Sequence, residues 1–112
     1  LAEYFLRTEG YDVDLARAVP DAERLIEEQV VDLAIVDLMI GGGAGLRLCE
    51  RLVGAHLRIL AVSTLDQRDR ALTAGADAFI RKPFESLTLV SAARDLIGTS
   101  AIARDTRRVP QT

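Results

Sequence analysis

Residues 31–36, VDLAIV, form a nearly continuous apolar run closed by Asp37. Its length and β-branched content predict a strand buried on both faces, as in a parallel sheet. C-terminal to it, Gly41, Gly42, Gly43 and Gly45 make a loop, and Leu46, Cys49 and Val53 recur at helical spacing, with Leu48 and Leu52 alongside. Ile59–Val62 is the next buried strand and ends at Ser63 and Thr64. A short helix over roughly 66–74 stops at Gly75, and Ala78–Ile80 is a brief strand running into Arg81-Lys82-Pro83. Ser86 is a plausible N-cap for a last helix with Leu87, Val90 and Ile97 inward, ending near Gly98. N-terminal to the run, Leu1, Tyr4 and Phe5 lie on a helix ended by Gly10. Val13 and Leu15 alternate with Asp12 and Asp14, which predicts a half-exposed strand over 12–16. Pro20 and Asp21 open a helix striped by Ala22, Leu25 and Ile26. The order is a helix followed by strand–helix four times, hence an α/β fold with a parallel sheet covered on both faces.

The chain has 112 residues, 49% of them hydrophobic and 28% charged, the make-up of one soluble globular domain. Its 14 basic and 17 acidic side chains leave a net charge of −3, so no broad basic face for nucleic acid is implied. No apolar run reaches the ~18 residues of a membrane span. Cys49 is alone and forms no internal disulfide, which fits a reducing cytoplasm.

Ligands of open α/β sheets bind beyond the carboxyl ends of the strands. Three successive strands finish here on reactive side chains: Asp37, Ser63 and Lys82. If the strands are neighbours their ends stand ~5 Å apart per step. Lys82 then reaches over Ser63 towards Asp37. A carboxylate, a hydroxyl and an ammonium converging at one edge suit a carboxylate nucleophile with donors ready for an anion. Singly, each has a plainer reading: Asp37 as a turn residue, Ser63 as a helix cap, Lys82 as a solvated edge charge. All three falling at strand ends in order favours the shared site.

Two segments, DLMIGGGAG (37–45) and GADAFIRKPF (75–84), give the chain a resemblance to the receiver domain of two-component response regulators. The first is similar to the family's Asp-Leu-x-x-Pro-x-x-x-Gly loop, with Gly41 in the place of proline and Gly45 eight residues after Asp37. The second resembles the family's Gly-Ala-Asp-x-(Phe/Tyr)-(Ile/Leu)-x-Lys-Pro-Phe strand. The resemblance covers residues 1–98, leaving 99–112, with Arg104, Arg107, Arg108 and Pro110, as a linker or frayed helix extension. It implies a doubly wound, flavodoxin-like sheet of order 2-1-3-4-5. It also implies Asp37 as phosphoacceptor, Lys82 as the contact to the phosphoryl group and Ser63 as the switch hydroxyl, with Thr64 as the alternative. Phe79 is implied as the aromatic that reorients, and Lys82–Pro83 as a cis peptide, which proline alone makes inexpensive.

By the same resemblance a divalent cation, Mg²⁺, neutralises charge between Asp37 and the transferred oxygens, with the Met39 backbone carbonyl as a further ligand. The implied partners are a histidine kinase or phosphotransfer protein as donor, and an output domain or a second copy of the chain as reader. The chemistry is limited to self-phosphorylation and slow self-dephosphorylation.

Two departures bear on these implications. Family members begin with a central strand ending in the acidic pair that holds Mg²⁺, whereas this sequence opens on Leu1 inside the first helix. That start predicts a truncation, and Mg²⁺ is expected only with the upstream pair. Residues 12–16 and 31–37 then flank the slot of the missing strand, where each unsatisfied backbone group would cost ~1–3 kcal/mol. Three arrangements meet that requirement: an upstream strand, a strand from a neighbouring molecule, or direct pairing of the two segments. The second departure is the short stretch from Ser63 to Gly75, which predicts a truncated helix.

A pseudo-receiver, the same fold binding protein without phosphorylation, is the main alternative function. A flavin- or small-molecule-binding flavodoxin-like domain is a third, disfavoured because only five aromatics exist. The GGGAG loop has neither the Walker Lys-Ser/Thr nor GxGxxG spacing, which argues against nucleotide binding. Cys49 on an apolar stripe reads as core. His56, the only histidine, has no second ligand type beside it for a metal.

Overall fold

In a computed structural model, residues 2–101 are described. The helices are α1 (Ala2–Thr8), α2 (Val19–Glu28), α3 (Ala44–Leu52), α4 (Arg68–Thr73) and α5 (Ser86–Ala101), and the strands are β1 (Leu33–Asp37), β2 (Arg58–Ser63) and β3 (Ala78–Arg81). The sheet is three-stranded, in the order β1-β2-β3, and both pairings are parallel. Asp37 aligns with Val62 and Ser63 with Arg81.

Side chains alternate across each strand, which explains why β1 is apolar throughout. Ala34 and Val36 of β1, with Ile59 and Ala61 of β2, pack against Ala22 of α2, Leu48 and Cys49 of α3, and Ala71 of α4. Leu33 and Ile35, with Leu60 and Val62, meet Leu6 of α1 and Leu89, Val90 and Ala93 of α5 on the opposite face. The sheet is doubly wound: α1 and α5 on one side, α2, α3 and α4 on the other.

The segment 12–16 is not a strand of this sheet. Asp12 and Leu15 make isolated bridges only, and the side chains break period two: Val13 is buried while Leu15 is 52% exposed. Alternating residues define a face but supply no ladder partner, so the pattern alone overstated the strand. Direct pairing of 12–16 with β1 in a rearranged sheet is therefore not adopted. The described strands correspond to the last three of the 2-1-3-4-5 order.

Smaller differences follow from local energetics. Gly98 lies inside α5 rather than ending it, since one helical glycine costs only ~1 kcal/mol against alanine. Ser86 is the first residue of α5 rather than its cap, and the Glu85 carbonyl before it accepts the N–H groups of Thr88 at 3.0 Å and Leu89 at 3.3 Å. Leu87 is 67% exposed, so the inward face of α5 begins at Leu89. The expected linker residues 102–112 lie outside the described residues, as does Leu1.

Candidate functional site at the carboxyl edge of the sheet

Three backbone features bring the strand ends together. The Leu38 N–H donates to the Val62 carbonyl at 2.8 Å, and the Lys82 N–H donates to the Ser63 carbonyl at 2.7 Å. Both pairings therefore continue one step past their strands. Gly45, at the start of α3, fixes the third: a Cβ there would lie 2.8 Å from the Asp37 carbonyl oxygen and 2.9 Å from Leu38 Cα. Only glycine lets α3 press so close to the end of β1, and this is the physical reason for a glycine eight residues after Asp37. Between them Gly41–Gly43 coils into one 3₁₀ turn, with positive φ at Gly42 and Gly43.

The Asp37 carboxylate is held at both oxygens. Oδ1 accepts the Met39 N–H at 2.8 Å, a side-chain turn closing two residues on, and Oδ2 accepts from Lys82 Nζ at 2.7 Å. Lys82 is the chain's single lysine. Both side chains remain about a third exposed, at 35% for Lys82 and 38% for Asp37, so the pair is open to an incoming reactant. Lys82–Pro83 is cis, as the resemblance implied.

Ser63 is fully buried and does not bond to Asp37 among the described residues. Its hydroxyl lies 2.7 Å from Gln67 Oε1 and 3.3 Å from Met39 Sδ, and accepts the Leu65 N–H at 3.1 Å. Thr64 is exposed, and its carbonyl accepts from Arg81 Nε at 3.3 Å. Phe79 is buried in the α2–α4 face of the core, with the Arg68 guanidinium 5.7 Å from its ring centroid. The Phe79 carbonyl also accepts from Arg68 at 3.4 Å.

Gln67, Arg68 and the Met39 side chain were not singled out from sequence. Polar residues opening a helix read as solvated. The usable signal was spacing: Gln67 sits four residues after Ser63, within side-chain reach once the chain turns into α4.

Of the other residues considered, Cys49 is buried in the core, and burial pushes its thiol up to about 11. His56 is exposed in the turn before β2, with φ of 60°. Arg104, Arg107 and Arg108 lie outside the described residues. No helix among the described residues is long and apolar enough to cross a membrane.

Mg²⁺ prefers several oxygen ligands in near-octahedral geometry. Among the described residues no three His, Cys, Asp or Glu side chains gather as such a cage, and Asp37 is already bonded to Lys82 and Met39. The described donors by themselves do not fit the cation.

The family model described as response regulator receiver domain matches residues 1–94. The regulatory protein VanR of Enterococcus faecium is 33% identical over 95 residues, 81% of this chain and 41% of VanR. The heme response regulator HssR of Staphylococcus aureus is 34% identical over 89 residues, 76% of this chain and 40% of HssR. The chain thus spans about two fifths of the length of these curated relatives. Among solved structures, a response regulator receiver protein from Burkholderia phymatum superposes with a TM-score of 0.75 at 25% identity, over 85% of this chain and 82% of that one. Sequence motifs, doubly wound sheet and family match agree: this chain belongs to the receiver domains of two-component response regulators.

Proposed function

We propose that the chain is a phospho-accepting signalling domain that takes a phosphoryl group onto Asp37 and switches a partner-binding surface. The observation that supports this most is the 2.7 Å pair between Lys82 Nζ and Asp37 Oδ2 at an open sheet edge. An Asp37 oxygen attacks the phosphorus of a phosphohistidine on a kinase or phosphotransfer protein. The new O–P bond forms as the P–N bond breaks, and the departing imidazole keeps the electron pair and takes up a proton. The Lys82 ammonium shifts its ion pair from the carboxylate to a phosphoryl oxygen. Ser63, the buried hydroxyl, is the switch residue in preference to exposed Thr64. It turns to donate to a second phosphoryl oxygen, and Phe79 moves into the space vacated. Any further chemistry is slow self-dephosphorylation by water. A divalent cation, held where upstream acidic residues complete its site, would neutralise charge between Asp37 and the transferred oxygens. Met39, whose backbone carbonyl the resemblance assigns to Mg²⁺, contributes that ligand only alongside further acidic residues.

Residues 1–98 form the receiver unit and 99–112 the linker or helix extension, in a cytoplasmic protein whose reader is an output domain or a second copy. The test is incubation of the full-length protein with acetyl phosphate and Mg²⁺. Mass spectrometry should find one added phosphoryl group, and Asp37→Asn should abolish it, because an amide is not a nucleophile there.

A second reading, the pseudo-receiver, is favoured by the six-residue α4 and by Gly41 in the place of proline. A folded full-length protein that ignores acetyl phosphate leaves that reading.

A further inference from the structure

We propose that Gln67 and Arg68, consecutive residues at the start of α4, form a resting-state latch that holds Ser63 and Phe79 and sets how readily phosphorylation throws the switch. This rests on the phospho-accepting reading above.

The Ser63 hydroxyl has a single proton to donate. Its oxygen already accepts the Leu65 N–H at 3.1 Å, so its proton goes to an acceptor. Two stand within reach: Gln67 Oε1 at 2.7 Å and Met39 Sδ at 3.3 Å. An amide oxygen is the stronger acceptor than a thioether and here the nearer one. The proton is therefore committed to Gln67. A hydroxyl cannot donate to Gln67 and to a phosphoryl oxygen on Asp37 with one proton, so the Gln67 bond must break before Ser63 engages the site.

Arg68 does the same for the aromatic. Its guanidinium covers the Phe79 ring at 5.7 Å and donates to the Phe79 carbonyl at 3.4 Å. A ring that leaves its buried position loses that cationic face. Gln67 is the N-cap of a six-residue helix and Arg68 its first residue. Displacing one displaces the other, which links release of the hydroxyl to release of the ring.

The test uses the full-length protein and NMR. The Phe79 ring and Leu65 amide resonances are placed between their limits without and with acetyl phosphate. Gln67→Ala and Arg68→Ala should each raise the switched population about 2- to 10-fold before any donor is added, the equivalent of one net hydrogen bond. Gln67→Glu offers the proton a charged acceptor and should lower it. A merely structural role would move Gln67→Ala and Gln67→Glu in the same direction. In a Ser63→Ala background, Gln67→Ala should add no further change to the Phe79 ring resonances. Unchanged populations in Gln67→Ala, or shifts of the same sign in both Gln67 variants, overturn the latch. If the wild type responds to acetyl phosphate and these variants do not behave as stated, only the latch fails. If the wild type gives no response, the phospho-accepting reading fails and the latch with it.

Discussion

Lys82 Nζ lies 2.7 Å from Asp37 Oδ2, although the two residues are 45 positions apart in the chain. Asp37 ends β1 and Lys82 directly follows β3, two strands that do not touch because β2 lies between them. Two strand spacings, ~10 Å, separate the backbones. Only a long, flexible stem such as lysine's bridges that span, over the end of β2 where Ser63 stands. Parallel connections put all three strand ends on one edge.

The pair is about a third open to water, and exposed ion pairs contribute ~0–1 kcal/mol. Lys82→Ala should thus change the unfolding free energy by no more than about 1 kcal/mol in urea titration. It should nevertheless uncouple modification of Asp37 from the response of the Phe79 ring. Wholesale unfolding of the variant would make Lys82 a structural residue and contradict its assigned role.

Gly45 admits no side chain because backbone atoms of Asp37 and Leu38 occupy the place of its Cβ. Gly45→Ala should destabilise by ~1–3 kcal/mol through overpacking. It should also slow acetyl phosphate modification, since relief of the clash moves the Asp37 loop. A denaturation midpoint equal to wild type would show that α3 does not press on the end of β1.

Asp77 explains the acidic residue of the 75–84 block. Its Oδ2 accepts the Ile59 N–H at 2.7 Å, Oδ1 accepts from Arg58 at 3.3 Å, and its own N–H donates to the Ile59 carbonyl at 2.8 Å. Asp77→Ala strands the N–H of buried Ile59 and should cost ~1–3 kcal/mol. Asp77→Asn keeps an acceptor oxygen and should lose less. Equal losses in the two variants would assign the effect to charge rather than to the bond with Ile59.

These contacts show what could be read from residue order and what could not. The two-faced burial of β1 was legible because alternate apolar residues on both sides leave a continuous run, and the three strand-end residues fell where the sheet places them. The glycine at 45 was legible as a motif position, but the backbone it faces was not. Residues 12–16 misled because Val13 and Leu15 alternate correctly yet point to different environments. Gln67 and Arg68 were invisible for the opposite reason: polar side chains at a helix start carry no periodic signal, and their partners lie on other elements.

Burial pushes the Cys49 thiol from 9.0 to about 11, so the folded state favours the protonated form. A group whose folded pKa is raised contributes stability that is complete below its unfolded value and is lost as pH rises through the folded one. Stability should fall between about pH 9 and about pH 11 in wild type, and less steeply in Cys49→Ala. A thiol reagent at pH 8 should label the unfolded chain only. Rapid labelling of the native protein would place the thiol outside the core.

On the proposed function Asp37, and no other side chain, carries the phosphoryl group. Borohydride reduces an aspartyl phosphate to homoserine, so treatment of the acetyl-phosphate-reacted full-length protein marks the acceptor permanently. Peptide mapping should find homoserine at position 37 and nowhere else. Homoserine at another aspartate, or phosphate retained on Ser63 or Thr64 after reduction, would contradict the account.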